Sequence, residues 1–232
     1  MNRIELNGRK VNVFASVEEL LDYISDKRDI LVAVNAEKII NRDDRLQEII
    51  NANTGYLDGI GPVWAIRRKG FPEACKIPGC ELWLKIVERF RNTRTFYLLG
   101  SEKDVVRATA RRLQKDFPNI CIAGYHDGFL TTEEIKSDVI NEIASRKPDI
   151  VFVAMGSPKQ ELFMSELYQH HPALYMGLGG SFDIYTGKVK RAPKWWIANN
   201  LEFAYRLLKQ PERIRRQIHL LRFVWMLVRN KF

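Results

Sequence analysis

Short runs of β-branched and aromatic residues alternate along this chain with longer segments whose apolar residues return every three or four positions. The runs have the character of buried strands and the longer segments the period of amphipathic helices. Strands are expected over Ile30–Val34, Gly55–Asp58, Thr95–Leu99, Ile120–Ala123, Ile150–Ala154 and Ala173–Met176. Helices are expected over Val17–Asp26, Asp44–Ala52, Cys80–Arg91, Asp104–Lys115, Thr132–Ser145 and Lys159–Tyr168. Ser16-Val17-Glu18-Glu19 and Thr131-Thr132-Glu133-Glu134 resemble capped helix starts. Asn7-Gly8 suits the turn of a small hairpin within the first fourteen residues. This alternation predicts an α/β fold, a mainly parallel sheet with helices on both faces, and no internal repeat or low-complexity stretch interrupts it.

In such sheets ligands gather beyond the carboxyl ends of the strands. The residues there are Asn35-Ala36-Glu37, Asp58-Gly59-Ile60-Gly61, Gly100-Ser101, Gly124-Tyr125-His126-Asp127-Gly128, Gly156-Ser157-Pro158-Lys159-Gln160-Glu161 and Gly177-Leu178-Gly179-Gly180. Glycines let backbone amides approach phosphate oxygens, and helix N-termini add partial positive charge, so these ends predict one cleft. Ser157 and Pro158 are expected at the cap and first turn of the helix after the most apolar strand. Capping does not ask for Lys159-Gln160 at a strand end, which favours an anion or sugar contact. Asp58, on spacing alone, reads as a turn former or helix cap. Placed in a cleft, its carboxylate beside an acceptor hydroxyl is what a general base requires.

At 232 residues the chain can bury one sizeable α/β core and carry an appendage. Three irregularly spaced cysteines, Cys75, Cys80 and Cys121, suit a reducing compartment and give no zinc pattern. The N-terminus lacks the apolar core of a signal peptide, and no run reaches the length of a spanning helix, so a cytoplasmic protein is expected. Neither a P-loop nor a dinucleotide-binding glycine fingerprint occurs. The four histidines, His126, His170, His171 and His219, show no metal-ligand spacing, and there is no Asp-x-Asp triplet. A nucleotide-sugar enzyme built on this chain would neutralise its leaving diphosphate with cations such as Lys76, Lys159 and the tail.

Charge changes the picture at the C-terminus. Lys188–Phe232 holds twelve Lys and Arg against Glu202 and Glu212, a net of +10, while the whole chain carries +9. The body is therefore near neutral and the tail strongly basic, a distribution that attracts polyanions. Ile214, Ile218, Leu221, Trp225, Val228 and Phe232 recur at helical spacing beside Arg215, Arg222 and Arg229. A helix packed on the body is the commonest fate of such a pattern. An interfacial amphipathic helix on anionic membrane is at least as well supported, given Trp195-Trp196 upstream. A nucleic-acid arm ranks third, because the aliphatic face has no use on a duplex, and burial of the stripe in a homo-oligomer is a further alternative.

A resemblance to a known family rests on Asn35-Ala36-Glu37-Lys38, Tyr56-Leu57-Asp58-Gly59-Ile60, Pro78-Gly79-Cys80-Glu81-Leu82, Phe96–Gly100, Asp127-Gly128-Phe129, Ala154–Glu161 and Gly177–Asp183. Thr186–Trp195, Tyr205–Leu208 and Gln210–Ile214 extend it almost to the end. Together these resemble the WecG/TagA/CpsF family of bacterial inverting glycosyltransferases of cell-envelope polymer synthesis. The resemblance implies a Rossmann-like catalytic domain over 1–194 and a basic, helical, membrane-associating appendage over 195–232. It implies transfer of a sugar from a UDP donor to a polyprenyl-diphosphate-linked GlcNAc-type acceptor at the cytoplasmic membrane face. The donor sugars implied are N-acetylmannosamine and N-acetylmannosaminuronic acid, with glucose-type sugars as the alternative. No metal or other cofactor and no nucleic acid is expected.

Carried over residue by residue, the resemblance places the general base on Asp58. Sugar contacts fall on Asn35 and Gln160, and diphosphate-binding arginines of the tail on Arg206, Arg213 and Arg216. Gly100, Asp127, Gly156, Ser157, Glu161 and Asp183 lie in the matching motifs and are expected to line the substrate. Two positions depart from the pattern. Ala33 stands where some members have Thr, and Lys76 stands where the pocket has Arg, keeping the charge but losing the bidentate fork.

Overall fold

The computed structural model describes residues 2–209 and 222–229, apart from the side chains of Phe203, Arg206, Leu207 and Lys209. The chain opens with β1 (Arg3–Leu6) and β2 (Arg9–Asn12), an antiparallel pair in which Leu6 faces Arg9. Its turn residues Asn7 (φ 50°) and Gly8 (φ 79°) are both left-handed, the conformation a two-residue hairpin needs.

The main sheet is built by β3 (Asp29–Val34), β4 (Thr54–Leu57), β5 (Thr95–Gly100), β6 (Cys121–His126), β7 (Ile150–Ala154) and β8 (Leu174–Gly177). All neighbours are parallel, in the order β4-β3-β8-β7-β5-β6. Among the described residues, the helices before the last sheet strand are α1 (Val17–Tyr23), α2 (Ala36–Ile40), α3 (Asp44–Ala52), α4 (Ile60–Arg68), α5 (Gly79–Phe90), α6 (Lys103–Asp116), α7 (Glu133–Arg146) and α8 (Lys159–His170). After it come α9 (Ser181–Thr186), α10 (Lys194–Ala198), α11 (Glu202–Lys209) and α12 over 222–228. No helix among the described residues is long and apolar enough to cross a membrane.

β3, β8, β7 and β5 are nearly continuous apolar runs because both faces of the sheet are covered there, whereas the edge strand β6 has no buried residue. Val32, Val34, Tyr97, Leu99, Val151 and Val153 belong to one core. Leu31, Phe96, Leu98, Ile150 and Phe152, which alternate with them, belong to the other. Trp83 of α5 anchors the second core, fully buried with its ring 5.6 Å from Phe152, 5.7 Å from Phe182 and 5.2 Å from Tyr185. This is the Rossmann-like α/β architecture that the sequence pattern predicts.

Three local expectations are corrected. β6 runs on to His126, so Gly124, Tyr125 and His126 lie within the strand and only Asp127 and Gly128 follow it. α8 begins at Lys159 with Pro158 as its cap and no side-chain cap, so Ser157 does not cap it. The Gly-rich segment after Asp58, over which no helix is expected, starts α4; Pro62 sits in the first turn, where a missing N–H costs nothing.

The tail helix α12 lies on α4. Phe223 and Leu227 are buried. A Cβ on Gly61 would come within 2.8 Å of the Phe223 ring, and Arg68 Nη1 donates to the Leu227 carbonyl at 2.5 Å. The two contacts seat α12 against α4. Trp225 and Val228, from the apolar stripe, are 49% and 72% exposed, so the docked face is a different one. Ile214, Ile218, Leu221, Phe232 and Arg215 lie outside the described residues.

Candidate active site

The carboxyl ends of β4, β3, β8, β7 and β5 form a contiguous rim. Asp58 is the first residue after β4, and its backbone N–H donates to the Val34 carbonyl at 3.0 Å, tying it to the end of β3. Gly59 follows with φ 111°, and a Cβ there would meet nothing within 4 Å. The same open space lies over Gly156, Gly179 and Gly180. The rim therefore presents bare backbone where a ligand would rest, as strand-end phosphate sites do.

Across from Asp58 stands the start of α5. A Cβ on Gly79 would lie 2.8 Å from the Tyr56 hydroxyl, 3.8 Å from Asp58 Oδ2 and 3.9 Å from Ala33 Cβ. Tyr56, Asp58, Ala33 and the N-terminal turn of α5 thus surround one point. Burial, with the nearby carboxylate of Asp58, pushes the Tyr56 phenol well above its ordinary value, so it stays protonated. Burial likewise pushes the Cys80 thiol up to about 11, leaving it a neutral thiol.

Asn35 follows β3 and caps α2, its Oδ1 accepting from Lys38 N at 2.9 Å. Gln160 Oε1 accepts from Gly156 N at 3.1 Å and Gly179 N at 2.9 Å, and its Nε2 donates to Glu161 Oε1 at 3.0 Å. Glu161 Oε1 also receives Lys38 Nζ at 2.7 Å, and Lys38 Nζ reaches the Ala33 carbonyl at 2.9 Å. All three side chains are buried. Burial pushes the Glu161 carboxyl up, but the Lys38 ammonium, with hydrogen bonds from Lys38, Gln160 and Ser157, outweighs this and holds it below its ordinary value.

A second knot holds the other half of the rim. Gly100 approaches β7 so closely that a Cβ would fall 2.4 Å from the Ala154 carbonyl oxygen. Ser101 is left-handed (φ 58°), and its N–H donates to Ala154 O at 2.8 Å. Its hydroxyl donates to Asp183 Oδ2 at 3.1 Å, and its carbonyl accepts from Gly128 N at 2.8 Å. Asp127 closes its own loop by accepting from Phe129 N at 2.9 Å.

Lys76 Nζ donates to Asn200 Oδ1 at 2.5 Å. Arg191 Nη2 lies 2.6 Å from Glu81 Oε1 and 3.8 Å from Glu202 Oε2, so two cationic side chains join the α5 turn to the segment carrying α10 and α11. The structure thus gathers Asn35, Asp58, Gly156, Ser157, Gln160 and Glu161 around β3, β4, β7 and β8. Gly100, Asp127 and Asp183 belong to the knot at β5 and β6. Arg206 lies in α11, with no side-chain description, and Arg213 and Arg216 lie outside the described residues.

Lys38, Ser101 and Tyr56 were not singled out as individual site residues by sequence reasoning. Lys38 lies in a motif, but its partner is 123 positions away. Nor were Trp64, Arg67 and Arg68, which with Leu227 line a cavity of about 390 Å³ between α4 and α12. The basic run Arg67-Arg68-Lys69, three residues after Trp64, was the signal that could have found them. Among the described residues no three of His, Cys, Asp and Glu gather as a metal-holding group.

A family model described as "Glycosyl transferase WecG/TagA/CpsF family" matches residues 4–232, nearly the full chain.

Proposed function

The chain belongs to the glycosyl transferase WecG/TagA/CpsF family, and from that premise we propose that it transfers N-acetylmannosamine or N-acetylmannosaminuronic acid from a UDP donor to a polyprenyl-diphosphate-linked GlcNAc-type acceptor, with inversion. Membership of the family makes the chain a glycosyltransferase of cell-envelope polysaccharide synthesis. The observation that carries the finer reading is the position of Asp58, at a strand end beside open glycine backbone and facing the α5 turn.

In this reading the acceptor hydroxyl loses its proton to the Asp58 carboxylate as its oxygen attacks the anomeric carbon from the face opposite the diphosphate. The bond from that carbon to the UDP oxygen breaks, and the electron pair leaves with UDP. Lys76 at the α5 turn supplies positive charge to the leaving diphosphate, with Arg206, Arg213 and Arg216 as further cations. No metal is required when cations of the chain fill that role. The docking of α12 supports the involvement of the tail, since the Phe223 ring packs on Gly61, three residues after Asp58.

The membrane face we propose comprises Trp64, Arg67 and Arg68 on α4 with Val224, Trp225 and Val228 on α12. Exposed tryptophans beside arginines suit the headgroup layer of an anionic leaflet; Arg229 lies over Trp225 at 4.9 Å. The test is product mass from a polyprenyl-diphosphate-GlcNAc analogue and a panel of UDP-sugars, with and without EDTA. Product without metal is expected; a metal requirement contradicts the electrostatic part of the reading.

A further inference from the structure

A buried ion pair is poor value as a stabiliser. Taking a carboxylate and an ammonium out of water costs about as much as their attraction returns, and apolar residues of similar volume pack as well or better. Lys38 and Glu161 nevertheless form such a pair, with side chains 6% and 1% exposed. Their arrangement accounts for it. Lys38 Nζ holds the Ala33 carbonyl of β3, while Glu161 accepts from Gln160 Nε2 and so dictates which way the amide points. Gln160 Oε1 is thereby turned toward the N–H groups of Gly156, after β7, and Gly179, after β8. Both glycines are left-handed, with φ 79° and 56°, and neither has a side chain to hold it.

Fit is close around this relay. A Cβ on Gly177 would stand 2.4 Å from Gln160 Nε2, so β8 is cut away for the amide. A flipped amide would put Nε2 against two N–H donors and Oε1 against the Glu161 carboxylate, losing every hydrogen bond. One orientation is therefore fixed by charge rather than by shape.

We propose that Lys38 and Glu161 are positioning residues which, through the Gln160 amide, clamp the ends of β3, β8 and β7 so that the Gly156 and Gly179 loops present their backbone to the donor diphosphate. The location of the donor rests on the glycosyltransferase reading above; the clamp itself does not. Neither Lys38 nor Glu161 touches substrate in this account, which moves Glu161 from a substrate contact to a support.

The experiment compares wild type with the double variant Lys38→Met/Glu161→Leu and the single variant Gln160→Met. The double variant removes both charges together, leaving no unpaired ion, and Gln160→Met leaves the ion pair in place should the double variant fail to fold. Hydrogen exchange is followed in peptides covering 155–161 and 177–181, and UDP binding by calorimetry. Expected are folded variants in which both loops exchange at least tenfold faster, sheet amides of β5 and β6 are unchanged, and UDP binds about tenfold more weakly. Unchanged exchange in either folded variant overturns the clamp. Faster exchange with wild-type UDP affinity overturns its role in donor binding. Absence of UDP binding by wild type contradicts the donor reading and leaves loop exchange to decide the clamp.

Discussion

The ring of Phe223 occupies the space that a side chain on Gly61 would need: a Cβ there would lie 2.8 Å from Phe223 Cε1. Glycine in the first turn of α4 is thus the seat of the tail helix, and Leu227 on the next turn of α12 is fixed by Arg68. The tail is a packed part of the molecule at this point, with its second apolar face, Val224, Trp225 and Val228, turned to solvent.

Gly61→Val should therefore displace α12 while the sheet stays intact. Hydrogen exchange over 222–228 is predicted to rise at least tenfold with little change in the strands. Binding to vesicles containing anionic lipid should weaken as the exposed face loses its orientation. Unaltered exchange over 222–228 would show that the helix does not depend on this seat.

The pair Lys38–Glu161 gives a stability cycle. Glu161→Leu alone strands a buried ammonium and should cost about 3–5 kcal/mol, whereas adding Lys38→Leu should recover most of that loss. The effect has a pH signature. The folded Glu161 carboxyl is held below its ordinary value of 4.5. Its contribution is therefore full above about pH 4.5 and is lost as pH falls toward the folded value. Between pH 7 and 3.5 the wild type should lose melting temperature more steeply than the double Leu variant; parallel curves would contradict the assignment.

Lys76 is engaged by Asn200 Oδ1 at 2.5 Å, a contact that donor diphosphate must replace if Lys76 is its cation. Asn200 is left-handed (φ 59°), so Asn200→Gly removes the amide without straining the backbone. A hydrogen bond from a charged group is worth about 1.5–3 kcal/mol net, and its removal should tighten UDP binding at least about tenfold. Lys76→Ala should weaken UDP binding by at least as much. Weaker binding in Asn200→Gly would instead make Asn200 part of the diphosphate site.

The buried strands were legible because such strands are short continuous apolar runs, and Ile150–Ala154 or Thr95–Gly100 cannot be hidden in such a chain, whereas the end of β6 was misplaced because none of its residues is buried. α2 was missed because five residues, Ala36–Ile40, are too few to show a helical period. α4 was masked by glycine and proline in its first turn, both of which the first turn of a helix tolerates. The rim was legible as a set of strand ends, since the topology alone brings them together. How the rim is held was not. Lys38 in Ala-Glu-Lys-Ile-Ile looks like any surface lysine until the fold brings it to Glu161. Ser101 and Asp183 meet only through tertiary structure, 82 positions apart. The tail periodicity favoured Trp225 and Val228 as one apolar stripe, whereas the packed pair is Phe223 and Leu227, because α12 carries apolar residues on two faces.

On the reaction proposed above, Asp58 takes the proton of the acceptor hydroxyl in a sugar transfer from a UDP donor. The most direct measurement is product mass from a polyprenyl-diphosphate-GlcNAc analogue and each of a panel of UDP-sugars, for wild type and Asp58→Asn side by side, in EDTA. Loss of a general base costs on the order of 10²–10⁴ in rate. A singly glycosylated product is expected from wild type, and turnover reduced by that factor in Asp58→Asn with UDP affinity within about threefold of wild type. Near-normal turnover by Asp58→Asn, or no product from wild type with any UDP-sugar, would contradict it.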